Sequence, residues 1–288
     1  MPARAPRVTR SEAVVIRHRR FGDSDRIVTL LTPARGKIDA IAKGALRPRS
    51  RLAGHLEPLT HAEVLLAHGR NLDIITQAQT LEGFATIRDD LDRLSLALYL
   101  LELADRFTVE HAEADAVYRL LLIALLRLAR GDGEQLVARS FELGLLDATG
   151  FRPEWRDCAA CGEPVSPDAL AWSPLAGGVI CAACRGSHPE AGPIDASVLK
   201  VLRYIQQEPY EEAARVRLTP ELASGLERVM HELMRAMAER DLGSARFLSE
   251  VRQTPRAAAG EEDAEDSAAV AASAEPLPAY TEPDSRNA

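Results

Sequence analysis

Cys158, Cys161, Cys181 and Cys184 are the only four cysteines in this 288-residue chain, and they form two Cys-Ala-Ala-Cys pairs separated by 19 residues. Two residues between thiols make a tight knuckle that aims both sulfurs at one ion and leaves backbone N–H groups to hydrogen-bond them. Two knuckles at this separation have the spacing of a four-thiolate zinc site. Gly162 can take positive φ and finish the first knuckle, and Gly177-Gly178 suits a hairpin that returns the chain for the second. Four thiolates fill a tetrahedral shell, so a single Zn2+ here is structural rather than catalytic. Such binding is worth ~10–16 kcal/mol in zinc-finger peptides, a scale that decides whether a short, core-poor loop folds. The alternatives are two disulfides or four unligated thiols, which a reducing compartment disfavours. His188 is expected at the surface, outside the ligand set.

A second chemistry is written in charge. Residues 1–80 hold 14 Arg or Lys against 7 Asp or Glu, a net of +7 in a chain of net −8. Arg35, Lys37, Lys43, Arg47, Arg49 and Arg51 crowd one stretch, and Arg17, Arg19 and Arg20 extend it upstream. Segregation of this kind marks a surface that meets a polyanion, with nucleic acid the leading candidate. Arg35 and Lys37 lie two apart and can face one way if a strand begins there. The Arg47-Pro-Arg-Ser-Arg51 loop can fork its guanidinium groups onto phosphates. Four phosphates neutralised on a single strand give a slope of log K against log salt near −3. Phe21 is the one aromatic residue in this region, which favours electrostatic tracking over base stacking. Reversing Lys37 and Arg49 to Glu should then abolish binding at moderate salt.

The elements that must position these groups follow from periodicity. Short β-branched runs at Ala13–Arg17, Arg26–Thr32, Lys37–Ala42, Thr60–Ala67 and Leu72–Gln79, punctuated by Gly22-Asp23, Pro33–Gly36 and His68–Asn71, read as five strands. Five strands in about 70 residues suit a small closed barrel, an OB-fold or an SH3-like barrel. After Gly83 the period becomes helical. Asp89–Phe107, Asp115–Arg130, Glu134–Ala148, Ala196–Gln207 and Pro220–Arg240 read as helices, with Asp92, Ser95, Tyr99, Glu102 and Arg106 as the polar stripe of the first. The expected parts are 1–82 barrel, 83–150 helical, 151–192 zinc-ribbon insertion, 193–250 helices completing the body, and 251–288 a disordered acidic tail of net −5. That tail can shield the basic barrel, so truncation after Glu250 should raise DNA affinity at low salt.

Catalysis is disfavoured. There is no nucleophile elbow and no phosphate-binding Gly-Lys-Ser/Thr loop, and Glu110-His111, His61 and His68 read as surface groups. The basic N-terminus leads into no apolar stretch, and the run Leu120–Leu126 stops at Arg127, so a cytoplasmic protein without membrane contact is expected. On the residues alone, a zinc-ribbon RNA-binding protein and a protein-interaction adaptor stay open beside a DNA-binding protein.

Beyond these patterns the chain resembles the RecO family. The resemblance is carried by Phe21-Gly-Asp-Ser-Asp-Arg-Ile-Val-Thr-Leu-Leu-Thr32, Gly36-Lys37, Ala42-Lys-Gly-Ala45, Arg47-Pro-Arg-Ser-Arg51 and Leu56-Glu-Pro58. It continues through Asp90-Leu-Asp-Arg-Leu94, Tyr99-Leu-Leu-Glu-Leu103, Phe141-Glu-Leu143, Leu145-Leu146, Ser173-Pro174 and the two cysteine pairs, over about residues 11–250. It implies an α+β multidomain protein with an N-terminal five-stranded OB-fold barrel, an all-α body and an inserted four-Cys zinc ribbon. It also implies a nucleoid-associated mediator of DNA repair and recombination that binds single- and double-stranded DNA and anneals complementary strands. Its implied partners are RecR, in some bacteria RecF, and the acidic, apolar C-terminal tail of single-strand-binding protein, with recombinase loading as the outcome. The tail beyond Val251 is longer than the family leads one to expect.

Overall fold

A computed structural model of the chain describes residues 8–165 and 171–253. The first five strands are β1 (Val8–Phe21), β2 (Asp25–Thr32), β3 (Gly36–Ala42), β4 (Thr60–Ala67) and β5 (Asp73–Glu82). They close into a barrel in the order β1-β2-β3-β5-β4, with β4 returning to β1. All pairings are antiparallel except β3 with β5, where Ala40 faces Asp73 and Ile41 faces Ile74. This is the five-stranded OB arrangement, and it replaces the choice between two barrels that composition left open.

β1 is much longer than the expected Ala13–Arg17. Its first half pairs with β4 (Val8 with Ala67 to Val15 with Thr60) and its second half with β2 (Val14 with Leu31 to Phe21 with Asp25), with a bulge between Val15 and Arg17. One strand serving two ladders needs that length. Its polar ends, Thr9-Arg10-Ser11 and Arg17-His18-Arg19-Arg20, hide it from a pattern read on apolar alternation. Ala13, Val15, Val28, Leu30, Ile38, Ala40, Val64 and Leu66 fill the barrel with aliphatic side chains.

The helices are α1 (Ala85–Arg88), α2 (Leu91–Arg106), α3 (Asp115–Arg130), α4 (Glu134–Ala148), α5 (Ala196–Gln207), α6 (Tyr210–Ala213) and α7 (Pro220–Gln253). Asp90 caps α2 by accepting from the N–H groups of Asp92 and Arg93, and Asp195 caps α5 in the same way. α7 runs past the expected Arg240 end. The rest of the expected acidic tail lies outside the described residues. The chain divides into one compact unit, Met1–Leu242, and a second beginning at Gly243. Among the described residues no helix is long and apolar enough to cross a membrane.

A second apolar core joins the outside of the barrel to the helices. Val14, Ile16 and Leu31 on the outside of the barrel join Leu100, Leu121, Leu125, Phe141 and Leu146 from α2, α3 and α4. Tyr99 departs from its expected place on a solvent stripe. It is half-buried, and its OH donates to Glu142 Oε1 at 2.8 Å. Glu142 is fully buried and lies 3.0 Å from Arg139 Nε. Burial pushes its carboxyl up to about 7, against the attraction of Arg139 and the hydrogen bond from Tyr99.

Between α4 and α5 lies a three-stranded sheet of β6 (Ala171–Ser173), β7 (Gly178–Ile180) and β8 (Gly192–Pro193), in the order β7-β6-β8. Trp172 of β6 and Trp155 are both buried, with ring centroids 6.3 Å apart. Arg203 of α5 donates to the Trp155 carbonyl at 2.7 Å and fixes the insertion to the helices.

Candidate nucleic-acid interface and metal centre

Pairing register decides where the expected cations point. Val28, Leu30, Ile38 and Ala40 face the barrel interior, so Arg17, Arg19 and Phe21 of β1 share the outer face with their partners Thr29, Ile27 and Asp25. On β3 the same face holds Lys37, Asp39 and Ile41, and Lys43 follows the strand. This outer face has one end against the helices and one end free.

At the helical end the cations are spent on carboxylates. Lys37 is only 12% exposed, and its Nζ lies 3.0 Å from Asp105 Oδ1 in the last turn of α2. Arg17 Nε donates to the other oxygen of Asp105 at 2.8 Å. Burial alone would raise the Asp105 carboxyl, but Lys37 and then Arg17 hold it below the usual range. Beside this clasp His111 donates its N–H to the Lys37 carbonyl at 2.9 Å, and Gly36 takes φ +59°. A Cβ on Gly36 would stand 1.8 Å from the Ala112 carbonyl oxygen, so only glycine lets this loop dock. Arg35 does not share a direction with Lys37. It pairs with Asp73 at the start of β5, where His68 Nδ1 also lies 3.2 Å away. Lys37, Arg17 and Arg35 therefore bind the protein to itself, and Asp105, 68 residues from Lys37, had no local signal to announce it.

His61, expected at the surface, is another such joint. Its Nε2 lies 3.1 Å from the Tyr118 hydroxyl and 3.3 Å from Glu12, linking β4, α3 and β1.

At the free end the cations are open. The β1–β2 hairpin tip is seated on the segment after β3: Gly44 N–H donates to Asp25 Oδ1 at 2.7 Å, and Leu46 N–H to the Ser24 carbonyl at 2.9 Å. Lys43, Arg47 and Arg49 are exposed and make no ion pair among the described residues. Arg19 is 55% exposed and makes only a long 3.8 Å approach to Asp39. Asp25 is held below its usual range first by the Gly44 N–H, and further by Ser24 and the charges of Lys43 and Arg47. These contacts place both cations beside the hairpin tip. Arg20 and Arg51 go elsewhere. Arg20 alternates to the opposite face, where neighbouring His18 and Arg26 hold Glu57 at 3.1 and 2.7 Å. Arg51 lines a groove with Arg10, His55, Thr76 and Gln79 on the β4–β5 side. The nine expected cations thus resolve into four that are exposed with at most one long ion pair (Arg19, Lys43, Arg47 and Arg49), three paired with the protein's own carboxylates and two on other sides.

The four cysteines come together in full. Their sulfurs lie within 4.8 Å of one another, and those of Cys161 and Cys181 are 3.7 Å apart, while all four cysteines are free. A tetrahedron with Zn–S of about 2.3 Å has sulfurs about 3.8 Å apart, so the cluster has the size of such a shell and is too wide for disulfides. The Cys181 N–H donates to Cys158 Sγ at 3.3 Å. Burial of Cys158 opposes ionisation, but the N–H groups of Cys181, Ala160 and Cys161 draw its thiol down to about 6. Gly162 closes the first knuckle at φ +78°. Soft thiolate donors, a buried sulfur and backbone N–H support fit a structural metal ion. His188 lies outside this cluster, 3.3 Å from Glu190.

Two family models match the chain. Residues 7–84 match "Recombination protein O N terminal" and residues 88–246 match "Recombination protein O C terminal". Among curated relatives, "DNA repair protein RecO" of Roseiflexus sp. (strain RS-1) is 41% identical over 250 residues, 87% of this chain and 88% of that protein. Proteins with the same description from Dehalococcoides mccartyi (strain CBDB1) and Heliobacterium modesticaldum are 36% and 41% identical. They align over 86% and 83% of this chain, and over 97% and 88% of their own lengths.

Proposed function

The chain belongs to the RecO family, a family of DNA repair and recombination proteins, and from that premise we propose that it is a mediator that grips DNA by its phosphates at the open end of the barrel. The observation that carries this reading is the group Arg19, Lys43, Arg47 and Arg49 on β1 and the segment after β3: all four are exposed, Lys43, Arg47 and Arg49 make no ion pair among the described residues, and Arg19 makes only a 3.8 Å approach to Asp39. Such contacts neutralise backbone charge without reading bases, so both single- and double-stranded DNA are substrates. Annealing complementary strands requires no bond chemistry. Two polyanions whose repulsion is locally cancelled can be held close enough to pair, and the protein acts as no enzyme in doing so.

The four cysteines hold one Zn2+, whose role is to fold the 151–192 insertion against α5 rather than to react. RecR and the acidic C-terminal tail of single-strand-binding protein are the proposed protein partners, with RecF in some bacteria. The outcome is recombinase loading on coated DNA in the cytoplasm, at the nucleoid. The test is strand annealing of complementary oligonucleotides coated with single-strand-binding protein, with and without RecR. Faster annealing of the coated strands and a further response to RecR are expected. An unchanged annealing rate would reject the assignment, and preference for RNA in a matched competition would redirect it.

A further inference from the structure

Phe21 is the only aromatic side chain among residues 1–80, yet it takes no part in the aliphatic barrel interior. It stands 45% exposed at the β1–β2 hairpin tip, followed by Gly22 at φ +62° with open space around it. Directly paired residues in a β-ladder point to the same side, so Phe21 lies beside Asp25, the residue that the Gly44 N–H fastens to the basic segment. Arg19, two residues back, shares its face. The ring therefore shares a face with Arg19 and with Asp25, whose carboxylate feels the charges of Lys43 and Arg47, at the edge of the loop between the first two strands that OB-folds use to hold oligonucleotides. An apolar plane framed by phosphate-binding cations is complementary to one thing in particular, an unpaired nucleobase whose backbone runs over those cations.

We propose that Phe21 stacks on an unpaired base and gives the barrel a preference for single-stranded over double-stranded DNA. This rests on the phosphate-grip reading above and adds to it a contact that duplex DNA cannot make, because its base faces are already stacked on one another. The consequence for annealing is directional. A base lying on Phe21 must leave the ring to pair, so the duplex product loses a contact that both separated strands enjoyed and is released more readily.

The experiment compares wild type, Phe21→Ala, Phe21→Trp and Arg47→Ala/Arg49→Ala on three probes of equal phosphate number: oligothymidylate, an abasic strand and a duplex. Stacking of one base is worth about tenfold in affinity. Phe21→Ala should therefore weaken oligothymidylate binding about tenfold and leave the abasic strand and the duplex unchanged. Phe21→Trp should restore the loss, and its emission should be quenched by oligothymidylate but not by the abasic strand, the native Trp155 and Trp172 being buried. Equal losses on all three probes, or no loss on any, would overturn the stacking role. Failure of the underlying grip gives a different signature, in which Arg47→Ala/Arg49→Ala binds every probe as wild type does.

Discussion

Replacing Arg47 and Arg49 together with alanine should flatten the salt dependence of DNA binding, whereas replacing Lys37 should not. The double variant removes two positive charges and Lys37→Ala one, all from the same stretch of sequence, but the fold gives those charges different work. Arg47 and Arg49 are exposed without ion pairs among the described residues, while Lys37 is 12% exposed and bound to Asp105. If Arg19, Lys43, Arg47 and Arg49 each neutralise one phosphate of a single strand, log K falls against log salt with a slope of about −2.8, and the double variant retains about −1.4. Between about 50 and 200 mM salt, wild type then loses roughly 50-fold in affinity and the variant roughly sevenfold. Lys37→Ala should keep the wild-type slope. It should instead destabilise the fold by about 2 kcal/mol, because Asp105 loses a partner and the barrel loses a tie to α2. Fluorescence anisotropy of a labelled oligothymidylate across a salt series, beside urea denaturation of each variant, separates these outcomes. If Lys37→Ala flattens the slope by about 0.7, the share of one phosphate contact, the division into paired and open cations is wrong.

Metal removal should act on the insertion and spare the barrel. Chelation, or Cys158→Ser, should release one zinc per chain in a colorimetric assay and lower the melting temperature, while binding of a short single strand changes less than twofold. Gly36→Ala should destabilise the protein by about 1–3 kcal/mol, since it meets both a left-handed backbone and the Ala112 carbonyl; urea titration reads this directly. Stability should fall between pH 5 and 8 through Glu142. Its folded pKa of about 7 lies above its ordinary value of 4.5, so the folded state binds the extra proton in that window. The stabilisation is complete below the ordinary value and is lost as pH rises through 7, by at most about 3 kcal/mol. Glu142→Gln should be nearly flat over the same range, and a variant that keeps the wild-type slope would assign it to another group.

The four-cysteine cluster was legible in the chain, because two knuckles of fixed spacing constrain their own local geometry and need only one hairpin to meet. Barrel strands and helices were legible for the same local reason, with errors confined to long range. β1 was read too short because its ends face solvent or a second ladder, and α7 runs past the Arg240 at which it was expected to end. Tyr99 looked like a solvent residue because a 3.6-residue period reports one helix's faces and not what packs on them. The basic stretch shows the division most clearly. Composition alone established that positive charge is concentrated near the N-terminus. Which of those charges face outward was settled by pairing register and by carboxylates at Asp73 and Asp105, distant in sequence and adjacent only after folding. Charge adds along a chain, but its availability depends on neighbours, and neighbours are a property of the tertiary structure.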